Sequence, residues 1–403
     1  MRFGKNWGRL DMISEWNQFV LGEIAELVID YRGKTPKKLG GDWCECGYRV
    51  LSAKNIKTGR IVQPDTIRYI DEDLYRKWMK DEVQRGDILI TSEAPFGQIF
   101  FWGSDEKIVL GQRLFCVRIK PEYDARFIYY YMTTPKFQNE LDGRATGTTV
   151  MGLRQPELMK CVVCCPDIQE QKVIATILSS IDAKIIANEK VNDNLQQQAA
   201  ALFSSLYDRS NTEVRFTDLI QILGGGTPKT GENTYWNGNI AFFTPKDVGT
   251  PYALITEKTI TEEGLSHCNS RLYPVNTVFV TARGTVGKVG MSGVPMAMNQ
   301  SCYALVGKET HQLLVYFYTL KAVGRLKHKA SGAVFDAITT RDFESEQIMK
   351  LSDADVKSFL CIAEPMFQKI LNNSIENQRL STLRDSLLPK LMSGEIDVSA
   401  VQL

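Results

Sequence analysis

The stretch from Asp167 to Tyr207, DIQEQKVIATILSSIDAKIIANEKVNDNLQQQAAALFSSLY, contains neither proline nor glycine. Apolar residues recur in it at heptad spacing, with one asparagine on the same stripe: Ile174, Ile181, Asn188, Leu195 and Leu202. The pattern predicts an amphipathic helix of roughly 60 Å, at about 1.5 Å per residue. Because so narrow an apolar stripe is typical of a coiled-coil seam, we expect this helix to pair with another helix.

A second helix of the same kind is predicted near the other end of the chain, in SDADVKSFLCIAEPMFQKILNNSIENQRLSTLRDSLLPKLMSGEID (352–397). It aligns with the first without a gap at an offset of 185 residues, so that Asn188 matches Asn373. The matching seam positions are Phe359, Met366, Asn373, Leu380 and Leu387. Pro365 falls inside this helix and is expected to kink it or to displace its start.

The segments before the two helices also repeat. Thr35–Pro36–Lys37 matches Thr227–Pro228–Lys229 at an offset of 192 residues, and Gln112 matches Gln300 at 188. The offset falls steadily to 185 at the helices and never reverses, which small loop deletions between two copies of one unit would produce. The chain is therefore interpreted as a duplicated domain of two strand-rich units, each followed by a long helix.

A duplication of this kind suggests a pseudo-two-fold axis, which makes the two long helices antiparallel. Ile174 is then expected near the segment 383–391, and Asn188 and Asn373 near the crossing point. Two interpretations of these asparagines stay open: they fix the register from buried positions, or they face water. The predicted divisions are a polar leader at 1–20, strand-rich units at 21–160 and 210–350, and helical regions at 161–209 and 351–403.

Composition limits the function classes only loosely. A hydrophobic content of 43% and a charged content of 24% are typical of a soluble globular protein. No apolar run reaches the length of a membrane span, and the N-terminal residues lack the apolar core of a secretion signal. Nine scattered cysteines favour a reducing cytoplasm. Since the net charge is only +1, any nucleic-acid binding must depend on local patches.

Motifs for catalysis or metal binding are weak. The three histidines all lie in the second half, and none of them recurs between the copies. Cys161, Cys164 and Cys165 lie in an apolar run and are interpreted as buried side chains, so no metal site is predicted. The segment Gly224–Lys229 lacks the full phosphate-loop pattern and contains a proline, which has no amide donor. We expect a non-catalytic chain.

Hydrogen-bond donors on glycine-rich loops are the more informative feature, because lysine and arginine suit phosphates while arginine, asparagine and glutamine can read base edges. Several recur in both copies, although each of them could equally be solvated surface. The candidates for DNA binding are Lys34, Lys37, Lys54, Asn55, Gln112, Arg113, Arg144, Lys229, Lys246, Arg283, Lys288, Gln300 and Lys329.

These motifs together resemble the specificity subunits of type I restriction–modification systems. The resemblance covers nearly the whole chain. The two most specific motifs are Pro166–Ile174 (PDIQEQKVI) and Leu387–Ile396 (LLPKLMSGEI). The Pro-x-x-x-Glu-Gln start of the first long helix has no counterpart in the second, so the two helical regions are not expected to be fully equivalent.

The resemblance implies an α+β fold with two tandem target-recognition domains, whose long helices pair as an antiparallel coiled coil. It implies that each domain reads half of a bipartite site in double-stranded DNA, with the coiled coil as a spacer. It also implies two methyltransferase subunits and further restriction subunits as partners, to which S-adenosylmethionine, ATP and Mg²⁺ belong. Two alternatives remain open from the residues alone: a coiled-coil protein-interaction scaffold and a free-standing nuclease.

Overall fold

The computed structural model describes residues 16–147, 151–249, 251–329, 337–399 and 401. Most of the predicted leader and residues Ala330–Gly332 of the repeat lie outside these ranges. In the described ranges, no helix combines the length and the apolarity that crossing a membrane requires.

The first copy, residues 17–165, is built from short strands and short helices. Its strands are β1 Asn17–Val20, β2 Ala25–Asp30, β3 Tyr48–Leu51, β4 Ile56–Lys57, β5 Arg60–Ile61, β6 Arg68–Ile70, β7 Ile88–Thr91, β8 Ile99–Phe101, β9 Ile108–Leu110, β10 Leu114–Ile119 and β11 Val162–Cys165. Its helices are α1 Leu21–Ile24, α2 Glu72–Trp78, α3 Ala125–Met132, α4 Pro135–Arg144 and α5 Gln155–Leu158. The long helix α6, Ile168–Asp208, follows.

The second copy, residues 212–350, has the same kind of content. Its strands are β12 Thr212–Arg215, β13 Ile220–Gly224, β14 Trp236–Phe243, β15 Tyr252–Ala253, β16 Lys258–Ile260, β17 Val278–Thr281, β18 Val289–Ser292, β19 Met296–Met298, β20 Cys302–Gly307 and β21 Gln347–Lys350. Its helices are α7 Phe216–Leu219, α8 Glu262–Ser266, α9 Gln312–Lys329 and α10 Thr340–Glu344. The second long helix, α11, is Asp353–Met392.

Sheet topology shows the duplication directly. In the first copy, one sheet has the order β2-β10-β7-β8 and another the order β6-β3-β9. In the second copy, the matching orders are β13-β20-β17-β18-β15, in which β15 is an additional edge strand, and β16-β14-β19. Even the directions agree, since β3 runs parallel to β9 and β14 runs parallel to β19. The first and last strands of each copy also pair, β1 with β11 and β12 with β21. The predicted α+β fold with two tandem strand-rich units is confirmed.

The chain forms two compact units, and each long helix contributes to both. The described residues within 1–182 and 381–403 make up the first unit, and those within 183–380 the second. In the first unit the start of α6 and the end of α11 share one apolar core, in which Ile174 and Leu178 are buried together with Leu391. In the second unit Phe203 of α6 and Phe359 of α11 lie in the main core. Within each unit, therefore, the early part of one helix meets the late part of the other, as an antiparallel pair requires.

The seam asparagines are buried rather than facing water. The Asn188 side-chain amide donates to Asn377 Oδ1 at 2.8 Å, and that of Asn373 donates to Asn192 Oδ1, also at 2.8 Å. At the repeat offset of 185 residues, Asn188 matches Asn373 and Asn192 matches Asn377, so the two pairs correspond to each other. Only 5% of Asn188 and 1% of Asn373 is exposed. The two hydrogen bonds thus correspond to each other in the repeat, and they favour one register of the paired helices.

Replacing Asn188 by alanine is expected to lower the free energy of unfolding by about 1–3 kcal/mol, because it leaves Asn377 without its donor in a half-buried position. Asn188 also donates to Glu376 at 2.8 Å, and that bond is lost as well. Urea denaturation followed by circular dichroism measures the change. The matched control is Asn194→Ala on the exposed face of α6, which should alter stability by no more than about 0.5 kcal/mol. Equal effects of the two substitutions would contradict a role for the buried pair.

Helix α11 begins at Asp353 and continues through Pro365, so of the two outcomes expected of this proline, displacement of the helix start is not observed. One predicted boundary differs from the structure. Residues 17–20, placed in the leader, form strand β1 and pair with β11. Helices α3 and α4 are separate, because Thr134 caps the second of them and accepts a hydrogen bond from the Phe137 amide.

Candidate nucleic-acid interface

In the first copy, the loops at the ends of β3, β7 and β9 are tied to one another by main-chain hydrogen bonds. Gly111 N donates to Leu51 O at 2.7 Å, and Ser92 N donates to Arg113 O at 2.9 Å. A Cβ atom on Gly111 would lie 2.7 Å from Leu51 O, so this close approach requires glycine. We call residues 52–55, 92–97, 111–113 and 153 the loop edge of the first copy.

The second copy builds the same edge with the same bonds. Asn299 N donates to Phe243 O at 3.0 Å, and Ala282 N donates to Ser301 O at 2.8 Å. A further bond closes each edge, from Leu153 N to Ser92 O in the first copy and from Ile338 N to Ala282 O in the second. The loop edge of the second copy comprises residues 244–247, 282–287, 299–301 and 338. Polar residues on either edge are therefore held by equivalent backbones.

Four of the candidates in the first copy line a single cavity of about 270 Å³ at the loop edge. They are Lys34, Lys54, Gln112 and Arg113. Lys54 and Gln112 are exposed and have no side-chain partner among the described residues, whereas Arg113 pairs with Glu93 at 3.1 Å. Lys37 is exposed on the short 3₁₀ turn Lys37–Leu39 beside this group.

Two of the candidates in the first copy have internal roles. Asn55 is fully buried: its Oδ1 accepts from Ser52 N at 3.1 Å, and its Nδ2 donates to Thr66 Oγ1 at 3.0 Å. It therefore holds the turn that presents Lys54 and does not itself face solvent. The Lys34 ammonium donates to the Trp78 carbonyl and lies 3.8 Å from the centroid of the Tyr31 ring. Partial burial, with Lys80 nearby, lowers the pKa of Lys34 from its usual value.

The candidates of the second copy are all exposed, and three of the six lie on its loop edge: Lys246, Arg283 and Gln300. Lys246 pairs with Glu257 at 3.2 Å, while Arg283 and Lys288 have no ion-pair partner among the described residues. Gln300 accepts a hydrogen bond from the Thr227 hydroxyl, which joins the 227–229 loop carrying Lys229 to the edge. Gly225 lies beneath this loop, where a Cβ would come within 2.2 Å of Asn299 O.

Arg144 and Lys329, which match each other in the repeat, are both engaged in ion pairs. Arg144 contacts Glu140 at 3.1 Å and Glu157 at 3.9 Å. Lys329 pairs with Glu346, a carboxylate that is only 1% exposed. Because Glu346 needs a positive partner where it is buried, Lys329 has a structural role at this position.

Sequence reasoning missed three residues that the fold brings to the cavity of the first copy: Trp43, Arg68 and Trp78. The Arg68 guanidinium lies 3.9 Å from the centroid of the Trp43 ring. Recurrence was the available signal for two of them, because the strand pairing places Lys258 where the first copy has Arg68. Lys258 lies 5.4 Å from the centroid of the Trp236 ring, so the second copy repeats the contact between a basic side chain and a tryptophan.

The three cysteines that precede the first long helix lie in the hydrophobic core. Cys161, Cys164 and Cys165 are buried, and burial raises the pKa of Cys161 and Cys165 to about 12. Within the described parts of the chain, no group of three or more histidine, cysteine or acidic residues is placed to hold a metal ion.

The predicted seam residues are all withdrawn from solvent. Ile174, Ile181, Asn188, Phe359 and Asn373 are buried, and the others are half-buried: Leu195, Leu202, Met366, Leu380 and Leu387. A second contact supports the pairing in the first unit, where Arg384 Nη1 donates to Asp182 Oδ1 at 2.7 Å.

Comparison with known proteins agrees with this architecture. A family model described as the type I restriction modification DNA specificity domain matches residues 13–197 and again residues 209–350. The specificity subunit of the type I restriction enzyme MjaIX from Methanocaldococcus jannaschii is 23% identical over 341 residues, which is 78% of each chain. That of the HindI enzyme from Haemophilus influenzae is 29% identical over 186 residues, which is 45% of this chain and 40% of the relative.

Among solved structures, the S subunit of a type I restriction–modification system from M. genitalium has a similar fold. Its TM-score is 0.59 at 17% identity, and the match covers 93% of this chain and 96% of the other. The first family match covers the first copy and continues into α6 as far as residue 197, and the second match covers the second copy. The chain belongs to the family of type I restriction–modification DNA specificity proteins.

Proposed function

We propose that this chain selects the DNA sequence on which a type I restriction–modification complex acts, and that each copy reads one half of a bipartite site. The observation that carries the proposal is the loop edge, which is built twice by equivalent hydrogen bonds and bears exposed polar residues both times. One edge for each half-site is the arrangement that a duplicated reader of split sites needs.

The exposed side chains suit both phosphate contact and base reading. Lys54 on the first edge and Lys288, which directly follows residues 282–287 of the second edge, supply positive charge that attracts phosphates and so raises affinity without reading sequence. Gln112 and Gln300 occupy matching places on the two edges, and a glutamine amide can form two hydrogen bonds to adenine in the major groove. We therefore assign base reading to the glutamines and arginines of the loop edges, and contact with the DNA backbone to the exposed lysines on or beside those edges.

We assign the role of spacer to the paired helices. Helix α6 contains 41 residues and is thus roughly 60 Å long. One turn of DNA advances about 34–36 Å, so a helix of this length suits half-sites separated by at least one turn. The buried asparagine pairs support this role, because a spacer needs a fixed register.

The chain itself is proposed to be non-catalytic and to act in the cytoplasm, where it meets DNA. Two methyltransferase subunits that use S-adenosylmethionine to methylate adenine would bind to it, and restriction subunits that use ATP and Mg²⁺ would join them. A protein-interaction scaffold without DNA specificity is the alternative. The loop edges favour the first proposal, since a scaffold has no need of two matched polar edges.

The test is co-expression with the methyltransferase subunit of the same system in a host without adenine methylation, followed by sequencing of methylated adenines. We expect one split motif, with two short half-sites around a fixed gap. A stable complex with the methyltransferase but no sequence-specific methylation would favour the scaffold.

A further inference from the structure

The lining of the cavity in the first copy is unusual for a protein surface that contacts DNA only in the grooves of the duplex. Its walls come from β3, β6 and the loop edge, and they include Trp43, Arg68 and Lys54. The lining contains no carboxylate, although Glu93 lies close by in its pair with Arg113. Such a cavity favours a ligand that is both aromatic and negatively charged.

Unpaired polar groups converge on this cavity. Most other arginines of the first copy are matched by carboxylates, for example Arg49 by Glu106 and Arg118 by Asp87. The Arg68 guanidinium instead lies against Trp43 and has no ion pair among the described residues. Lys54 and Gln112 likewise have no side-chain partner in the described chain. These donors remain available to a ligand.

Hydrogen bonds fix the side chains that shape the cavity, so these side chains cannot move into it. The Trp78 indole donates to Leu110 O at 3.1 Å, and the ring is 1% exposed. Buried Asn55 fixes the turn below Lys54 by bonding to both Ser52 and Thr66. The site is therefore preformed, as small-ligand sites usually are.

Size decides between a base pair and a single nucleotide. A volume of about 270 Å³ lies just below the usual range for small-molecule sites, roughly 300–1,000 Å³. A stacked base pair in a duplex is far too large to enter, whereas one unstacked nucleotide is of the right order. Proteins that take up such a nucleotide stack its base on aromatic or guanidinium planes and hold its phosphate with cations.

We propose that this cavity binds one unstacked nucleotide, with the base against the Trp43–Arg68 pair and the phosphate near Lys54. The proposal rests on the proposed function of the loop edge and gives the first copy a mode of recognition beyond groove contacts. The same chemistry fits a nucleotide extruded from the DNA half-site or a free mononucleotide, and the two sources can be separated by experiment.

The first arm uses the complex with the methyltransferase and duplexes carrying the methylated motif, with 2-aminopurine placed at one position at a time. A nucleotide of the duplex that enters the cavity should give a several-fold rise in fluorescence at one position other than the target adenines. Arg68→Ala should abolish that rise and weaken binding about tenfold. The matched control is Arg60→Ala, an exposed arginine of the same copy outside the lining, which should change neither.

The second arm titrates the full chain with deoxynucleoside monophosphates and follows tryptophan fluorescence. Saturable quenching that Arg68→Ala removes, without any rise in the first arm, would assign the cavity to a free nucleotide. Lys54→Ala is the second variant, since it leaves the Trp43–Arg68 contact in place and should weaken either signal. A fluorescence rise that persists in both variants, or the absence of both signals, overturns the proposal.

Failure of this inference is distinguishable from failure of the proposed function. If the wild-type complex methylates a split motif but neither arm responds, the cavity is not a nucleotide site although the loop edge still reads DNA. If no split motif is methylated, the proposed function itself fails.

Discussion

Replacing Arg283 by alanine is expected to weaken specific DNA binding by about 1–3 kcal/mol, or roughly fivefold to 150-fold, if this arginine reads a base edge. Arg283 is exposed on the loop edge of the second copy, where its amide is fixed by Ser301 O. Its side chain has no ion pair among the described residues, so its hydrogen-bond donors are free for DNA. Fluorescence anisotropy with the methylated motif measures the loss.

The salt dependence of the same titration distinguishes base reading from phosphate contact. A base-reading arginine should affect the specific duplex far more than an unrelated one, whereas loss of a phosphate contact weakens both and lowers the salt slope by about one. Arg215→Ala is the control, because Arg215 is exposed on β12 of the same copy but away from the loop edge. Equal losses from the two substitutions would show that general charge, and not the edge, explains the effect.

Phe203→Ala is expected to destabilise the second unit by about 3–5 kcal/mol, a large part of the 5–15 kcal/mol typical of a folded protein. Phe203 is 1% exposed, and its ring centroid lies 5.0 Å from that of Phe317 and 5.6 Å from that of Phe359. It thereby joins α6 to α9 and α11 within one core. The substitution removes these aromatic contacts and leaves a cavity.

Two comparisons check this prediction by urea denaturation. Phe203→Leu keeps most of the volume and should cost less than half as much as the alanine variant. Val191→Ala lies on the same helix at a position that is 44% exposed and should change stability by no more than about 0.5 kcal/mol. A small effect of Phe203→Ala would contradict a core in which the long helix is an integral part of the second unit.

The sequence predicted the long helices and the duplication well, because both depend on patterns that many residues share. The helix expected at 167–207 is observed at Ile168–Asp208, and the match of Asn188 with Asn373 appears as two related hydrogen-bonded pairs. Whether the asparagines were buried could not be decided from periodicity, since an asparagine on a seam is compatible with either state. Burial depends on which side chain of the other helix each asparagine contacts, and the register of the two helices determines that side chain.

Individual site residues were harder to predict, because residue type does not reveal what a side chain contacts. Asn55 and Lys329 fit the pattern of exposed donors, yet one is sealed in a turn and the other neutralises buried Glu346. Arg68 was missed since it lies on a short strand and joins the loop edge only through the fold. The roles of the other candidates in DNA binding stay predictions.

The central claim is that each copy reads its own half-site, and the matched glutamines test it most directly. Binding of the wild-type, Gln112→Ala and Gln300→Ala chains, each in complex with the methyltransferase, should be measured on duplexes altered at one base pair of one half-site at a time. We predict that Gln112→Ala relaxes discrimination in one half-site only and that Gln300→Ala relaxes it in the other only. Relaxation of the same half-site by both substitutions would contradict the account.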